Sequence, residues 1–277
     1  MRNIKAGICQ AAFTQNKSEN LKRAERLIRA CAELGASLVV LPEMACWWGP
    51  LSRMPEQAES LSGPWVTRMR QLAGEIGIWL VAGTFPRKKK ISGKTRGKAW
   101  NSTPIINPKG KVAGVADKCH LFDVNVPGGP SVRESEAFKP GQKPFRLQTP
   151  FGALGFGICY DARFPEMFRA IVKMGGMDIL IILSAFHRET GKAHWETLLR
   201  ARAIENQCFV IGANQCGKSS HGYESYGHSM AVGPWGETLL RLGADEAIGV
   251  AELNADTLVS IRRNLPALTH IRKNYGI

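Results

Sequence analysis

The chain has 277 residues, 44% of them hydrophobic, with seven cysteines and a formal net charge of +14. This is enough apolar sequence for one large core, read here as a single α/β domain over 1–277, and no stretch is both long and apolar enough to span a bilayer. An odd cysteine count without framework spacing, and an N-terminus without an apolar region followed by a cleavage site, point to free thiols and a cytosolic protein.

In chain order, residues 4–13 predict a strand, and Leu21, Ala24, Leu27, Ile28, Cys31 and Leu34 fall on one helical face. The next strand is predicted over 37–41. Pro42 ends it and leaves Glu43 just past its carboxyl end, where α/β folds place functional groups. A helix over 64–76 and a strand over 77–84 lead to the densest basic run, 87–98. That run invites a nucleic-acid reading, but it holds glycine and serine, lacks interleaved aromatic residues and sits between two strand-like segments. It reads as a solvated hairpin loop, and a basic surface equally suits a small anionic substrate.

Strands over 99–106 and 111–117 follow, joined by a turn at Asn107-Pro108-Lys109-Gly110, with Lys118 at the end of the hairpin. Residues 119–143 carry glycine, proline and charge with no period, and read as a loop covering a substrate. A second hairpin, 144–149 and 152–158, ends at Cys159, after which Pro165 opens a helix to about 174. A strand over 178–183, a helix over 193–206, a strand over 207–213 and a hairpin around Pro234-Trp235-Gly236 complete the series.

Cys159 alone would read as a small buried hydrophobe. At the start of a helix, however, its thiolate would gain from the helix's positive end, and the flanking Gly155 and Gly157 permit the sharp turn of a nucleophile elbow. Glu43 and Lys118, each unremarkable alone, follow two other strands and supply a base and an ammonium if the strand ends converge.

These residues sit in segments that resemble the three signatures of the nitrilase superfamily. They are Leu41-Pro42-Glu43, Asp117-Lys118-Cys119-His120-Leu121-Phe122, and Gly157-Ile158-Cys159-Tyr160-Asp161-x-Arg163-Phe164-Pro165-Glu166. Ser184-Ala185-Phe186, Thr190-Gly191-x-Ala193-His194-Trp195-Glu196, Tyr226-Gly227-His228-Ser229 and Pro234-Trp235-Gly236 are similar to its Nit branch, and the likeness covers nearly the whole chain. The resemblance implies a four-layer αββα sandwich. It also implies Cys159 as nucleophile, Glu43 as general base, Lys118 as oxyanion stabiliser and Glu134 as supporting acid, with Glu136 its near competitor. The backbone N–H of Tyr160 would share the oxyanion.

The implied reaction is hydrolysis of a carboxylate-bearing small amide to acid and ammonia through a thioester. Val126-Pro127-Gly128-Gly129-Pro130-Ser131 and Arg262-Arg263-x-Leu265-Pro266-Ala267 look more like members acting on deaminated glutathione than like those acting on α-ketoglutaramate. Ser184 and Phe186 are expected near the substrate. Arg163 is expected either to pair with a substrate carboxylate or to form a structural salt bridge with an acid. His194 and Trp195 are placed at a helix start, supporting the active-site wall. No Cys or His pair has zinc-ligand spacing, and Gly155-x-Gly157 and Gly217-Lys218-Ser219 lack the remaining residues of nucleotide motifs, so neither metal nor cofactor is expected. Neither is a nucleic-acid or membrane partner, whereas a homodimer or larger assembly is implied by the resemblance.

Overall fold

The computed structural model describes residues 1–88, 97–126 and 131–272. β1 (Ile4–Gln10), β2 (Leu38–Val40) and β3 (Trp79–Val81) run parallel, connected by α1 (Lys17–Glu33) and, after the single turn α2 (Met54–Gln57), by α3 (Pro64–Ile76). β4 (Phe85–Arg87), β5 (Trp100–Ile106) and β6 (Val112–Asp117) extend this sheet, β5 lying antiparallel to the other two and to β3. β7 (Asp123–Asn125) and β8 (Ser131–Arg133) then form a two-stranded ribbon.

The second sheet is built from β9 (Arg146–Thr149), β10 (Gly152–Ile158), β11 (Ile179–Ser184) and β12 (Phe209–Asn214). Its three last-named strands are parallel, with α4 (Pro165–Lys173) and α5 (Arg188–Asn206) as crossovers. A second ribbon, β13 (Cys216–Lys218) and β14 (Glu224–Tyr226), precedes the hairpin β15 (Met230–Val232) and β16 (Thr238–Arg241). β17 (Ala247–Leu253) crosses back to pair antiparallel with all of β1, and α6 (Ala255–Asn264) follows. The sheet orders are β17-β1-β2-β3-β5-β4, with β6 on β5, and β16-β15-β12-β11-β10-β9.

Alternation along the strands dictates the layers. Ile8, Val40, Val81 and Ile105 of the first sheet join Phe156, Ile158, Ile181 and Ile211 of the second in one core cluster, which continues outward to Phe168 and Leu199 on α4 and α5. The neighbouring residues Cys9, Val39, Leu80 and Ile106 point the other way, onto Leu27, Ile28, Met69 and Leu72 of α1 and α3. The result is the four-layer αββα order.

Several expectations need correction. Leu34 lies just past the end of α1 and is 57% exposed. The 119–143 segment is not aperiodic throughout: β7 and β8 are short, and neither has a buried face, so they leave no hydrophobic pattern to read. α5 begins at Arg188, not 193, because His187 caps it with Nδ1 accepting from the Glu189 N–H at 3.3 Å, an unusual capping residue. His194 and Trp195 therefore stand inside the helix, not at its start. β17 and α6 were not foreseen, since the glycine, alanine and acids of 243–252 carry little β propensity. The predicted loop 87–98 lies mostly outside the described residues; Arg87 itself pairs with Asp117 at 2.6 Å.

Candidate active site

The carboxyl ends of β2, β6, β10 and β11 meet at one edge of the sandwich, around a cavity of about 580 Å³ lined by Glu43, Lys118, Glu134 and Cys159 among others. Lys118 follows β6, and its Nζ donates to Glu43 Oε1 at 3.1 Å and to Glu134 Oε2 at 2.8 Å. Glu43 is 2% exposed, Lys118 3% and Glu134 4%. Glu136 also lines the cavity but is exposed, and the Lys118 bond falls to Glu134.

Fixed donors from the backbone and from Asn101 also hold both carboxylates. Glu43 Oε2 accepts from the Ala185 N–H at 2.8 Å, tying the first sheet to the end of β11. Glu134 Oε2 accepts from the Phe122 N–H at 2.7 Å. Asn101, at the start of β5, donates from Nδ2 to Glu43 Oε1 at 2.8 Å, and its backbone carbonyl accepts the Lys118 N–H at 2.9 Å. Burial works to lower the Lys118 pKa, but Glu134 and Glu43 outweigh it and hold the ammonium well above its ordinary range. Glu134 is held above the usual carboxylate range, by burial first and by Glu43, with Lys118 opposing.

Cys159 adopts φ +50°, a left-handed conformation that only a sharp turn requires of a non-glycine residue. Asp161, fully buried, clamps that turn: its Oδ2 accepts from the Ile158 N–H at 2.9 Å, while Oδ1 accepts from the His120 N–H at 2.8 Å and contacts His120 Nδ1 at 2.8 Å. One side chain thus fixes the Cys159 elbow to the segment after Lys118. Gly157 is needed just before it, because a Cβ there would meet the Phe168 ring at 2.9 Å.

The expectation of a helix-stabilised thiolate does not hold. Cys159 begins a single 3₁₀ turn, Cys159–Arg163, and α4 starts only at Pro165. With no long helix dipole at the sulfur, burial pushes the thiol up to about 12; Glu43 adds to the rise and Lys118 opposes it. Tyr160, second in that turn, has an N–H ahead of the turn's first internal bond, placed to donate to a negative charge.

Ser184 is fully buried at the end of β11, and its Oγ has no hydrogen-bond partner of ordinary geometry, although it lies close enough to Cys159 to favour the thiolate slightly. Arg163 has no acidic partner among the described residues. Its guanidinium lies 5.9 Å from the Tyr160 ring centroid and 5.0 Å from that of Phe186, with Nη1 3.2 Å from His194 Nδ1. Arg163, Tyr160, Phe186 and Thr190 line a recess adjoining Cys159. Asn101 and Asp161 carry no mechanism by residue type. The available signal for Asn101 was a polar triplet, Asn101-Ser102-Thr103, inside an otherwise apolar strand.

The sequence matches the Carbon-nitrogen hydrolase family over residues 5–263. The chain belongs to this family. It is 41% identical to the deaminated glutathione amidase of Bos taurus, aligning over 97% of this chain and 82% of the relative. To the omega-amidase NIT2 of Xenopus tropicalis it is 37% identical, over 96% and 94%. The structure superposes on Saccharomyces cerevisiae Nit3, a member of branch 10 of the nitrilase superfamily, with a TM-score of 0.85 and 32% identity, covering 96% and 95% of the two chains. As a carbon–nitrogen hydrolase with amidase relatives matched over most of their length, the chain is an amidase-type enzyme with the nitrilase-type fold.

Proposed function

We propose that this hydrolase cleaves a carboxylate-bearing amide through a thioester on Cys159, most readily the γ-linked amide of deaminated glutathione. What carries the reading is the buried Glu43–Lys118–Glu134 cluster sharing one cavity with a cysteine on a left-handed elbow. With its pKa near 12, the resting thiol is protonated, so attack needs a base at the moment of bond formation. Glu43 takes the thiol proton as Sγ bonds to the carbonyl carbon, and the oxyanion is held by the Lys118 ammonium and the Tyr160 N–H.

Glu43 then returns that proton to the amide nitrogen, the C–N bond breaks and the amine leaves. Water attacks the thioester, Glu43 takes its proton, and that proton goes back to Sγ as the acid departs. Glu134 keeps Lys118 charged and oriented. Arg163, held on two aromatic faces without an acid, is the group for the substrate's α-carboxylate, with Phe186 and Ser184 forming the wall beside it.

Ammonia is the leaving group only for a primary amide such as α-ketoglutaramate. Deaminated glutathione has none: its γ-amide releases cysteinylglycine, and both substrates leave the same keto-acyl group on sulfur. A cavity of about 580 Å³, inside the roughly 300–1,000 Å³ range of sites for drug-sized ligands, has room for the dipeptide. The higher identity to the deaminated glutathione amidase points the same way. The two segments whose likeness favoured that substrate add little: 127–130 lie outside the described residues, and Arg262 is committed to Asp178 at 2.8 Å and to the Met177 and Gln207 carbonyls. The same reading takes 1–277 as one cytosolic, cofactor-free domain that assembles as a homodimer or larger.

The test is kcat/KM for cysteinylglycine release from deaminated glutathione and for ammonia release from α-ketoglutaramate, with wild type and Cys159→Ala. Faster dipeptide release and an inert variant are expected. Preference for α-ketoglutaramate would move the substrate, and a fully active variant would remove Cys159 from the mechanism.

A further inference from the structure

Two buried carboxylates share one ammonium, so the cluster as a whole carries excess negative charge, and the proton it readily takes up must go to one of them. A general base works only if that proton avoids Glu43. Lys118 leans toward charge on Glu134, since its Nζ meets both oxygens of that carboxylate, at 3.0 and 2.8 Å, and one oxygen of Glu43 at 3.1 Å, so the preference for Glu43 must come from another contact. Each carboxylate also receives one backbone N–H, from Ala185 and Phe122 respectively. The contact that favours Glu43 is the Asn101 amide, whose Nδ2 stands 2.8 Å from Glu43 and 3.4 Å from Glu134.

We infer that Asn101 is the positioning residue that keeps Glu43 ionised and sends the cluster's proton to Glu134, by donating its short hydrogen bond to Glu43 alone. Facing two acceptors, Nδ2 can only point at the carboxylates, which leaves Oδ1 buried without a partner among the described residues. The orphaned carbonyl is a cost set against the two hydrogen bonds that Nδ2 gives the carboxylates. The upward displacement of Glu134 by burial agrees with its role as proton holder. Among the described residues, the other titratable groups lining the cavity with Glu43 are Cys159, whose thiol stays neutral, Tyr223, whose hydroxyl is kept neutral by burial and donates to the Ala185 carbonyl at 2.9 Å, His187 and His221, whose pKa values burial lowers, and the exposed Arg133 and Glu136.

This inference rests on Glu43 as the base but not on any substrate, so it is tested on the thiol itself. The measurement is the rate of iodoacetamide alkylation at Cys159, followed by mass spectrometry of its peptide across pH, for wild type, Asn101→Ala and the near-isosteric Asn101→Asp. Because a neutral thiol needs Glu43 to deprotonate it, the wild-type rate falls on an acidic limb that reports Glu43. Loss of a hydrogen bond to the charged form moves that limb up by about one pH unit in Asn101→Ala and further in Asn101→Asp, with the plateau retained. A limb that stays put while the plateau drops, a limb that moves down, or failure of both variants to fold would each make Asn101 structural and overturn the inference. Wild type that alkylates as expected but turns over neither amide would instead fail the substrate reading and leave this one standing.

Discussion

At the scale of single residues, the site combines a neutral thiol, the proposed nucleophile, with a charged frame around it. The raised Cys159 pKa means that thiolate ultraviolet absorbance, taken as wild type minus Cys159→Ala, should show no titration between about pH 6 and 9. A step near neutrality would mean a preformed thiolate and no need for Glu43. Lys118 carries the opposite expectation. Its folded pKa lies above the unfolded one, so its contribution to stability is complete below the unfolded value and is lost as pH rises through the folded value. Removing it at neutral pH leaves two carboxylates buried and uncompensated. Lys118→Met should therefore cost about 3–5 kcal/mol in urea unfolding, the range for breaking a buried ion pair, and the deficit should shrink at acidic pH as Glu134, whose pKa is already raised, takes a proton. A deficit independent of pH would contradict the charge explanation.

At the scale of elements, the trio comes from loops anchored on strand ends, and the anchors are hydrogen bonds between segments distant in sequence. Asp161 joins the elbow to the Lys118 segment through the Ile158 and His120 N–H groups. Asp161→Ala would strand the buried Ile158 donor and the partly buried His120 donor, and should lower unfolding free energy by at least about 1–3 kcal/mol, the cost of one buried unsatisfied group; a change below about 1 kcal/mol would show that water or neighbours replace the clamp. Strong periodicity made the long elements legible: Leu27, Ile28 and Cys31 announce α1, and Pro64 and Pro165 mark the starts of α3 and α4. Elements held by tertiary context were not. β17 exists because β1 offers it an edge, and the 3₁₀ turn at Cys159 exists because Asp161 closes it, so local sequence assigned the cysteine to a helix start and gave the thiol the wrong direction of shift. Glu43, Lys118 and Cys159 stand in the three signature-like segments and share one cavity with Glu134, whereas Asn101 is visible only once the fold sets it between two carboxylates.

At the scale of the whole molecule, the chain carries 37 lysines and arginines against 23 acids, and the proposed substrate is an anion. Much of that charge is locked in pairs such as Arg68 with Glu25 and Glu75, so its value lies in the net field and not in any one contact. Raising ionic strength from about 0.01 to 0.5 M should lower kcat/KM severalfold, mainly through KM, for a carboxylate-bearing amide. An uncharged amide should show little change. Equal salt dependence for both would remove the field from substrate capture. The αββα packing also places the two sheets' carboxyl edges opposite each other, with Glu43 bonded to the Ala185 N–H of the second sheet. The proposed base and the seating of one sheet on the other therefore share a contact.

The most direct test of the thioester is rapid-quench mass spectrometry of the wild-type enzyme turning over deaminated glutathione or α-ketoglutaramate. The predicted result is one transient keto-acyl adduct of the same mass from either amide, located on the Cys159 peptide and absent from Cys159→Ala. An adduct on another residue, or product formed by Cys159→Ala at the wild-type rate, would contradict it.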